Sequence, residues 1–201
     1  MFSWYPTIHP LVLTTNSLVL NPTGDAPLSA ALSSILLRLA LPRYWCTAGT
    51  ARHGVRCGAA LLLDTTHEVP VLGLYPNYTN DVGITFASED GWRMDTTSVE
   101  ITTGALPPNL PTAITVTTPR TTVPSSLNLV SNFSASNPQM PLVANNFGDI
   151  RWVLDFRTHP VLQRLTYDCG ISRLRNGHYL FGDKSASQLY EADGLDEALH
   201  T

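Results

Sequence analysis

The chain has 201 residues, 43% of them hydrophobic, which is enough for one sizeable core, and no break in composition forces a second domain. The formal net charge of −4 and the scattered arginines argue against a nucleic-acid partner, because phosphate binding needs clustered Lys and Arg. No stretch approaches the roughly 20 apolar residues of a membrane span, so we expect a soluble domain without membrane insertion. Charged residues are only 14%, and the uncharged polar residues in their place suit an all-β surface.

The N-terminal part of the chain alternates apolar and polar segments. Residues 11–20 predict a strand, a turn at Asn16 and a second strand, and residues 21–25 predict a loop. The next segment, residues 25–41, fits two structures. Apolar residues at three- and four-residue spacing predict a helix that Asp25 caps, whereas alternation in the second half predicts a strand. Pro42 should end either element.

The fold is organised around residues 56–75, where two apolar runs flank a polar break. We predict a β-hairpin with arms at residues 59–63 and 69–75 and a turn at residues 64–68. Both arms are apolar at nearly every position, so both of their faces should be covered, as in the middle of a barrel or sandwich. Residues 81–86 and 92–102 alternate as two further strands.

Residues 104–141 contain seven prolines and only short apolar pieces. Proline lacks the donor that a central strand needs, so these pieces should be edge strands or long surface loops, where recognition usually resides. Residues 150–156, 161–167 and 178–181 predict three strands, and Asn176-Gly177 predicts a hairpin turn. From residue 183 onward we expect an acidic, poorly packed tail or a short helix near residues 195–200.

These elements predict a mainly β protein, a single-domain antiparallel β-barrel or sandwich with long Pro- and Thr-rich loops and at most one or two short helices. Residues 1–182 would form the β domain and residues 183–201 the acidic C-terminal tail.

One group of residues suggests nucleophilic catalysis. Asp168-Cys169-Gly170 and the downstream Gly177-His178 resemble the nucleophile turn and pocket strand of chymotrypsin-like viral cysteine proteases. The resemblance implies Cys169 as nucleophile, His53 as base and Asp81 or Asp64 as its orienting carboxylate. A buried structural cysteine is the competing interpretation, and we favour it, because free cysteine is often part of a core. The histidines are spread singly without metal-ligand spacing, so we expect neither a metal nor a cofactor.

A binding surface is the better prediction. Tyr75, Asn77, Tyr78 and Asn80 lie in one short loop, YPNYTN, and Trp92 follows in another polar segment. Flat rings beside amides and hydroxyls are the mixture that sugar-binding and protein-binding surfaces use. An ordinary turn is the alternative for this loop.

The abundance of Thr, Ser, Asn and Pro, the low charge, the many short strands and the acidic C-terminal region resemble the protruding domain of a non-enveloped virus capsid, and most of all the astrovirus capsid spike. The resemblance implies a homodimeric β-barrel on the virion surface that binds a host receptor protein or glycan and carries antibody epitopes. The cysteine protease and a host or bacterial β-sandwich lectin are the alternatives.

Overall fold

The computed structural model describes residues 13–47, 55–57, 64–88, 94–108, 110, 114–117, 127–130, 140–157, 159–164, 168–183, 187–193 and 198–200. The described chain is mainly β, as predicted, and all of its strand pairs are antiparallel. In chain order the strands are β1 (Leu13–Leu20), β2 (Ala30–Thr47), β3 (Val55–Cys57), β4 (Asp64–Val71), β5 (Thr79–Ser88), β6 (Met94–Thr102), β7 (Leu127–Val130), β8 (Leu142–Asn145), β9 (Ile150–Val153), β10 (Asp168–Arg173), β11 (Tyr179–Asp183), β12 (Gln188–Ala192) and β13 (Ala198–His200). One 3-10 turn spans Leu162–Arg164.

The strands form three sheets. The first has the order β1-β2-β5-β6, with β3 and β4 also paired to β2; the second is β7-β8-β9, and the third is β10-β11-β12-β13. None of these sheets closes into a barrel among the described strands. The fold is therefore of the sandwich type, which was one of the two predicted architectures.

The middle sheet is covered on both faces. Every residue of β8 and β9 is buried. Leu142, Ala144, Ile150 and Val153 pack with the first sheet in one core, and Val143 and Trp152 pack with the third sheet in another. In the second core the rings of Trp152 and Tyr179 stack, with 4.5 Å between their centroids. The three sheets thus form layers with a separate apolar core on each side of the middle one.

The predicted helix at residues 25–39 is wrong, and the alternative strand is correct. Residues 25–29 form the turn before β2, and residues 30–39 belong to β2, an 18-residue strand that pairs with β1 and β4 over its first part and with β3 and β5 over its second. Partners on both sides supply hydrogen bonds that outweigh local helix propensity. Pro42 does not end the strand. It falls between Ala40, the last partner of β4, and Tyr44, the first partner of β3, so its missing N–H interrupts neither ladder.

The predicted hairpin turn at residues 64–68 is also wrong, because these residues belong to β4. Thr66 and Glu68 are exposed whereas His67 and Val69 are buried, so the polar residues occupy the outer face of a half-buried strand. β4 pairs with β2, and the other predicted arm, residues 59–63, lies outside the described residues. Near the N-terminus, the predicted turn at Asn16 is instead an irregularity within the single strand β1.

Part of the proline-rich segment lies inside the molecule, contrary to prediction. Leu110 and Met140 are buried in the first core, where Leu106, Ile114 and Val130 also pack. β7 agrees with the prediction, since it is an edge strand. This segment therefore supplies apolar groups to the core as well as surface loops.

The C-terminal region is not a loose tail. Residues 188–192 form β12, which pairs along its whole length with β11, and Tyr190 and Ala192 are buried in the second core. Residues 198–200 form β13 instead of the predicted helix. The boundary expected after residue 182 falls inside β11.

The strand predicted at residues 161–167 is a 3-10 turn where it is described. Buried His159 fixes this turn, because its Nδ1 accepts hydrogen bonds from the N–H groups of Val161 and Leu162. None of the described helical segments has the length and apolar character needed to cross a membrane.

Candidate functional site

Residues 75–80 comprise the end of the β4–β5 connection and the first two residues of β5, and we call them the aromatic loop. Residues 76–78 form a turn in which Asn77 has a φ of 50°, a left-handed conformation that asparagine tolerates better than most residues. The Tyr75 and Tyr78 rings meet edge to face, with 6.2 Å between their centroids. The turn places Asn77 and Tyr78 on the surface.

Asn80 holds the aromatic loop from inside. Its side chain is completely buried. Its Oδ1 accepts a 2.7 Å hydrogen bond from the Tyr75 N–H, and its Nδ2 donates to the carbonyls of Tyr75, Tyr78 and Ile101 at 3.1 to 3.3 Å. One amide therefore joins both ends of the loop to β6, which is the use expected of a buried polar group.

Thr103 and Gly104, which follow β6, also hold the aromatic loop through hydrogen bonds. The Thr103 N–H donates to the Tyr78 carbonyl at 3.0 Å, and the Thr103 hydroxyl donates to the Tyr75 carbonyl at 2.5 Å. The Asn77 N–H donates to the Gly104 carbonyl at 2.7 Å. Most polar backbone groups of the loop are thus engaged by the protein, so the loop has one preferred conformation.

A buried cation lies beneath Tyr75. Arg151 on β9 is completely buried, and its guanidinium carbon lies 3.5 Å from the centre of the Tyr75 ring. Its Nε and Nη2 both donate to the carbonyl of Gly73, at 2.9 and 2.5 Å. The cation–π contact and the two hydrogen bonds connect Gly73 and Tyr75 to the middle sheet.

The structure brings four of the five predicted binding residues together but gives them different roles. Tyr75 is half-buried on Arg151, and Asn80 is internal, so neither presents a free surface. Asn77 and Tyr78 are exposed, Tyr78 to 39%. The predicted Trp92 lies outside the described residues. The sequence analysis missed Thr103 and Arg151, since only a fold that places them against the loop reveals their part in it.

The predicted catalytic residues are not seen as an assembled group. The segment of Cys169 and Gly170 lies in an irregular part of β10, where the φ of Gly170 is 145°, and not in a turn. Asp81 lies on β5 in another sheet and is exposed, and His53 lies outside the described residues. The protease alternative therefore stays a prediction from sequence.

Two further polar pairs occur near the C-terminus. The Nδ1 of His178 lies 2.8 Å from the Glu191 carboxylate, which also accepts a hydrogen bond from Asn176. In the other pair, a hydrogen bond from Arg157 to the Asp155 carboxylate raises the pKa of the arginine. The His178–Glu191 pair joins the end of the turn at residues 175–177 to β12, whereas the Asp155–Arg157 pair lies within one local turn. No group of three potential metal ligands occurs among the residues that the model describes.

Comparison with known proteins gives one partial match. The family model of the arylsulfotransferase Ig-like domain matches residues 59–104, which is less than half of the chain. The match contains β4, β5, β6 and the aromatic loop. No curated protein matches the chain.

Proposed function

We propose that this chain is a non-catalytic recognition domain, the surface spike of a non-enveloped virus capsid, which attaches to a host receptor protein or glycan through the aromatic loop. In this proposal the spike is a homodimer on the virion surface, and its exposed loops carry antibody epitopes.

The rigid presentation of Tyr78 carries the proposal. Asn80 and Thr103 fix the loop backbone, and Arg151 supports Tyr75, whose ring in turn contacts Tyr78. A loop that is already ordered pays little conformational entropy on binding, and a tyrosine offers a large amphipathic contact area. Burying an exposed tyrosine in an interface therefore yields affinity without a prior rearrangement of the domain.

The experiment measures binding of the purified chain to host cells and to a glycan panel. Tyr78→Ala should weaken binding at least about tenfold, as expected for an aromatic anchor, with the melting temperature lowered by no more than a few degrees through loss of the ring contact with Tyr75. Phe147→Ala is the matched control, because Phe147 is an aromatic residue of similar exposure, 45%, at the β8–β9 turn. Equal binding by wild type and Tyr78→Ala would refute the role of the loop. A concentration-independent monomer in sedimentation, combined with no cell binding, would refute the spike itself.

The partial family match favours a second candidate, an Ig-like accessory domain attached to an enzyme of the arylsulfotransferase kind. Both candidates make this chain non-catalytic. They differ in the neighbouring coding sequence, because a capsid protein should carry a basic shell domain upstream whereas the accessory domain should adjoin an enzyme domain.

A further inference from the structure

The turn between β10 and β11 is closed by two backbone hydrogen bonds. The Leu174 N–H donates to the His178 carbonyl at 2.8 Å, and the Gly177 N–H donates to the Leu174 carbonyl at 3.1 Å. Gly177 has a φ of 94°, a left-handed conformation that glycine adopts without strain. The Asn176-Gly177 peptide therefore lies at the tip of a tight hairpin.

The Asn176 side chain is exposed, yet it has partners at both ends of its carboxamide. Its Oδ1 accepts a hydrogen bond from the His178 N–H, and its Nδ2 donates to the Glu191 carboxylate on β12, both at 3.1 Å. The same Nδ2 lies 3.1 Å from the Nδ1 of His178, and that Nδ1 lies 2.8 Å from the same Glu191 oxygen. The carboxamide is thus held between the turn and the neighbouring strand.

An asparagine followed by glycine can be attacked by its own backbone, because glycine has no Cβ to obstruct the attack, and asparagine is one of the thermolabile residues. In this reaction the deprotonated Gly177 nitrogen forms a bond to the Cγ of Asn176. The Cγ–Nδ2 bond breaks, and Nδ2 takes up a proton and leaves as ammonia. Water then opens the cyclic imide to give aspartate or isoaspartate. One water is consumed and one ammonia is released, so no oxidant or reductant is needed.

The closed turn opposes this reaction at both reacting atoms. The hydrogen of the attacking nitrogen is bonded to the Leu174 carbonyl, and the carboxamide is bonded to His178 and Glu191. Ring closure must break these hydrogen bonds, so it requires local opening of the hairpin. After the reaction, aspartate brings a second carboxylate to Glu191 in place of a donor, and the like charges repel each other.

We propose that Asn176 is a site of spontaneous deamidation that the closed turn protects, and that its conversion to aspartate or isoaspartate weakens the contact between the turn and β12. Isoaspartate also adds one backbone atom inside the hydrogen-bonded turn. Each opening of the third sheet exposes Asn176 to a change that hinders closure, so damage there accumulates with the frequency of opening. This property is independent of what the aromatic loop binds.

Peptide mapping by mass spectrometry measures the fraction of Asn176 converted during incubation in mildly alkaline buffer, in the folded chain and in urea. Conversion should be at least about tenfold slower in the folded chain, because only the open fraction reacts. Glu191→Ala should raise the rate in the folded chain and leave the rate in urea unchanged. Glu100→Ala, the matched control, removes an exposed carboxylate from β6 in the first sheet and should change neither rate.

A second measurement tests the effect of the product. Asn176→Asp should lower the melting temperature by about 2–4 °C, and adding Glu191→Gln should restore part of this loss, because the new amide can donate to the new carboxylate. Equal conversion rates in the folded chain and in urea, or no conversion in urea, would overturn the proposal. Equal effects of Glu191→Ala and Glu100→Ala, or a wild-type melting temperature for Asn176→Asp, would also overturn it.

Discussion

Removing the Asn80 side chain should loosen the aromatic loop and destabilise the whole domain. The amide contacts four backbone groups within 3.3 Å, but its two Nδ2 hydrogens are shared among three carbonyls, so it makes about three full hydrogen bonds, each worth about 1 kcal/mol net. The Tyr75 and Tyr78 carbonyls keep donors from Thr103, so the full sum is not lost. We therefore expect Asn80→Ala to lower the free energy of unfolding by about 2–3 kcal/mol.

Equilibrium unfolding in urea, followed by circular dichroism, measures this cost. A loss of about 2–3 kcal/mol should lower the urea midpoint by about 1 M for a typical denaturant dependence. Asn80→Asp is the sharper variant, because it keeps the acceptor for the Tyr75 N–H but turns a buried carboxylate oxygen toward three carbonyl oxygens. It should be less stable than Asn80→Ala at neutral pH, although it is nearly isosteric with wild type. A midpoint shift below about 0.2 M for Asn80→Ala, or a milder effect of Asn80→Asp, would refute this account of the loop.

Two further changes test the packing of the layers. Gly148→Ala should cost at least about 1–3 kcal/mol more than Gly177→Ala, because both glycines have φ near 90° but only at Gly148 does a Cβ collide with a backbone oxygen, that of Ile114. Equal urea midpoints for the two variants would contradict that contact. Ending the chain after Asp183 removes β12, β13 and the buried Tyr190, so the melting temperature should fall by about 10 °C or more. An unchanged melting temperature would show that residues 184–201 behave as the tail that their composition suggests.

The mainly β fold could be predicted because period-2 alternation and turn residues are local signals, as at β5, β6 and the Asn176-Gly177 turn. The helix error at residues 25–39 arose because the leucines there satisfy helical and strand spacing at once. Partner strands on both sides of β2 decide between the two, and their positions are not encoded locally. The C-terminal strands were missed for a related reason, since a mostly polar segment needs only Tyr190 and Ala192 to face the core.

The sequence predicts the aromatic loop, but it does not predict which of its residues are exposed or which distant residues contact them. Asn77 and Asn80 have the same side chain, three positions apart, yet one is exposed and the other is completely buried. The difference depends on β6 and the segment after it, which supply the partners of Asn80. Arg151 follows the loop by more than seventy residues, so its contact with Tyr75 follows only from the docking of β9 against the first sheet.

The ribosome completes the first sheet before it makes the middle sheet that covers it. The first sheet is complete by residue 102, but the strands that cover its apolar side, β8 and β9, span residues 142–153. A ribosome adds about 5–20 residues per second, so the apolar face of the first sheet remains exposed for several seconds until β8 and β9 are synthesised. During that interval the nascent chain exposes an apolar surface that attracts chaperones, and agents that slow elongation between residues 102 and 142 should lower the yield of native protein.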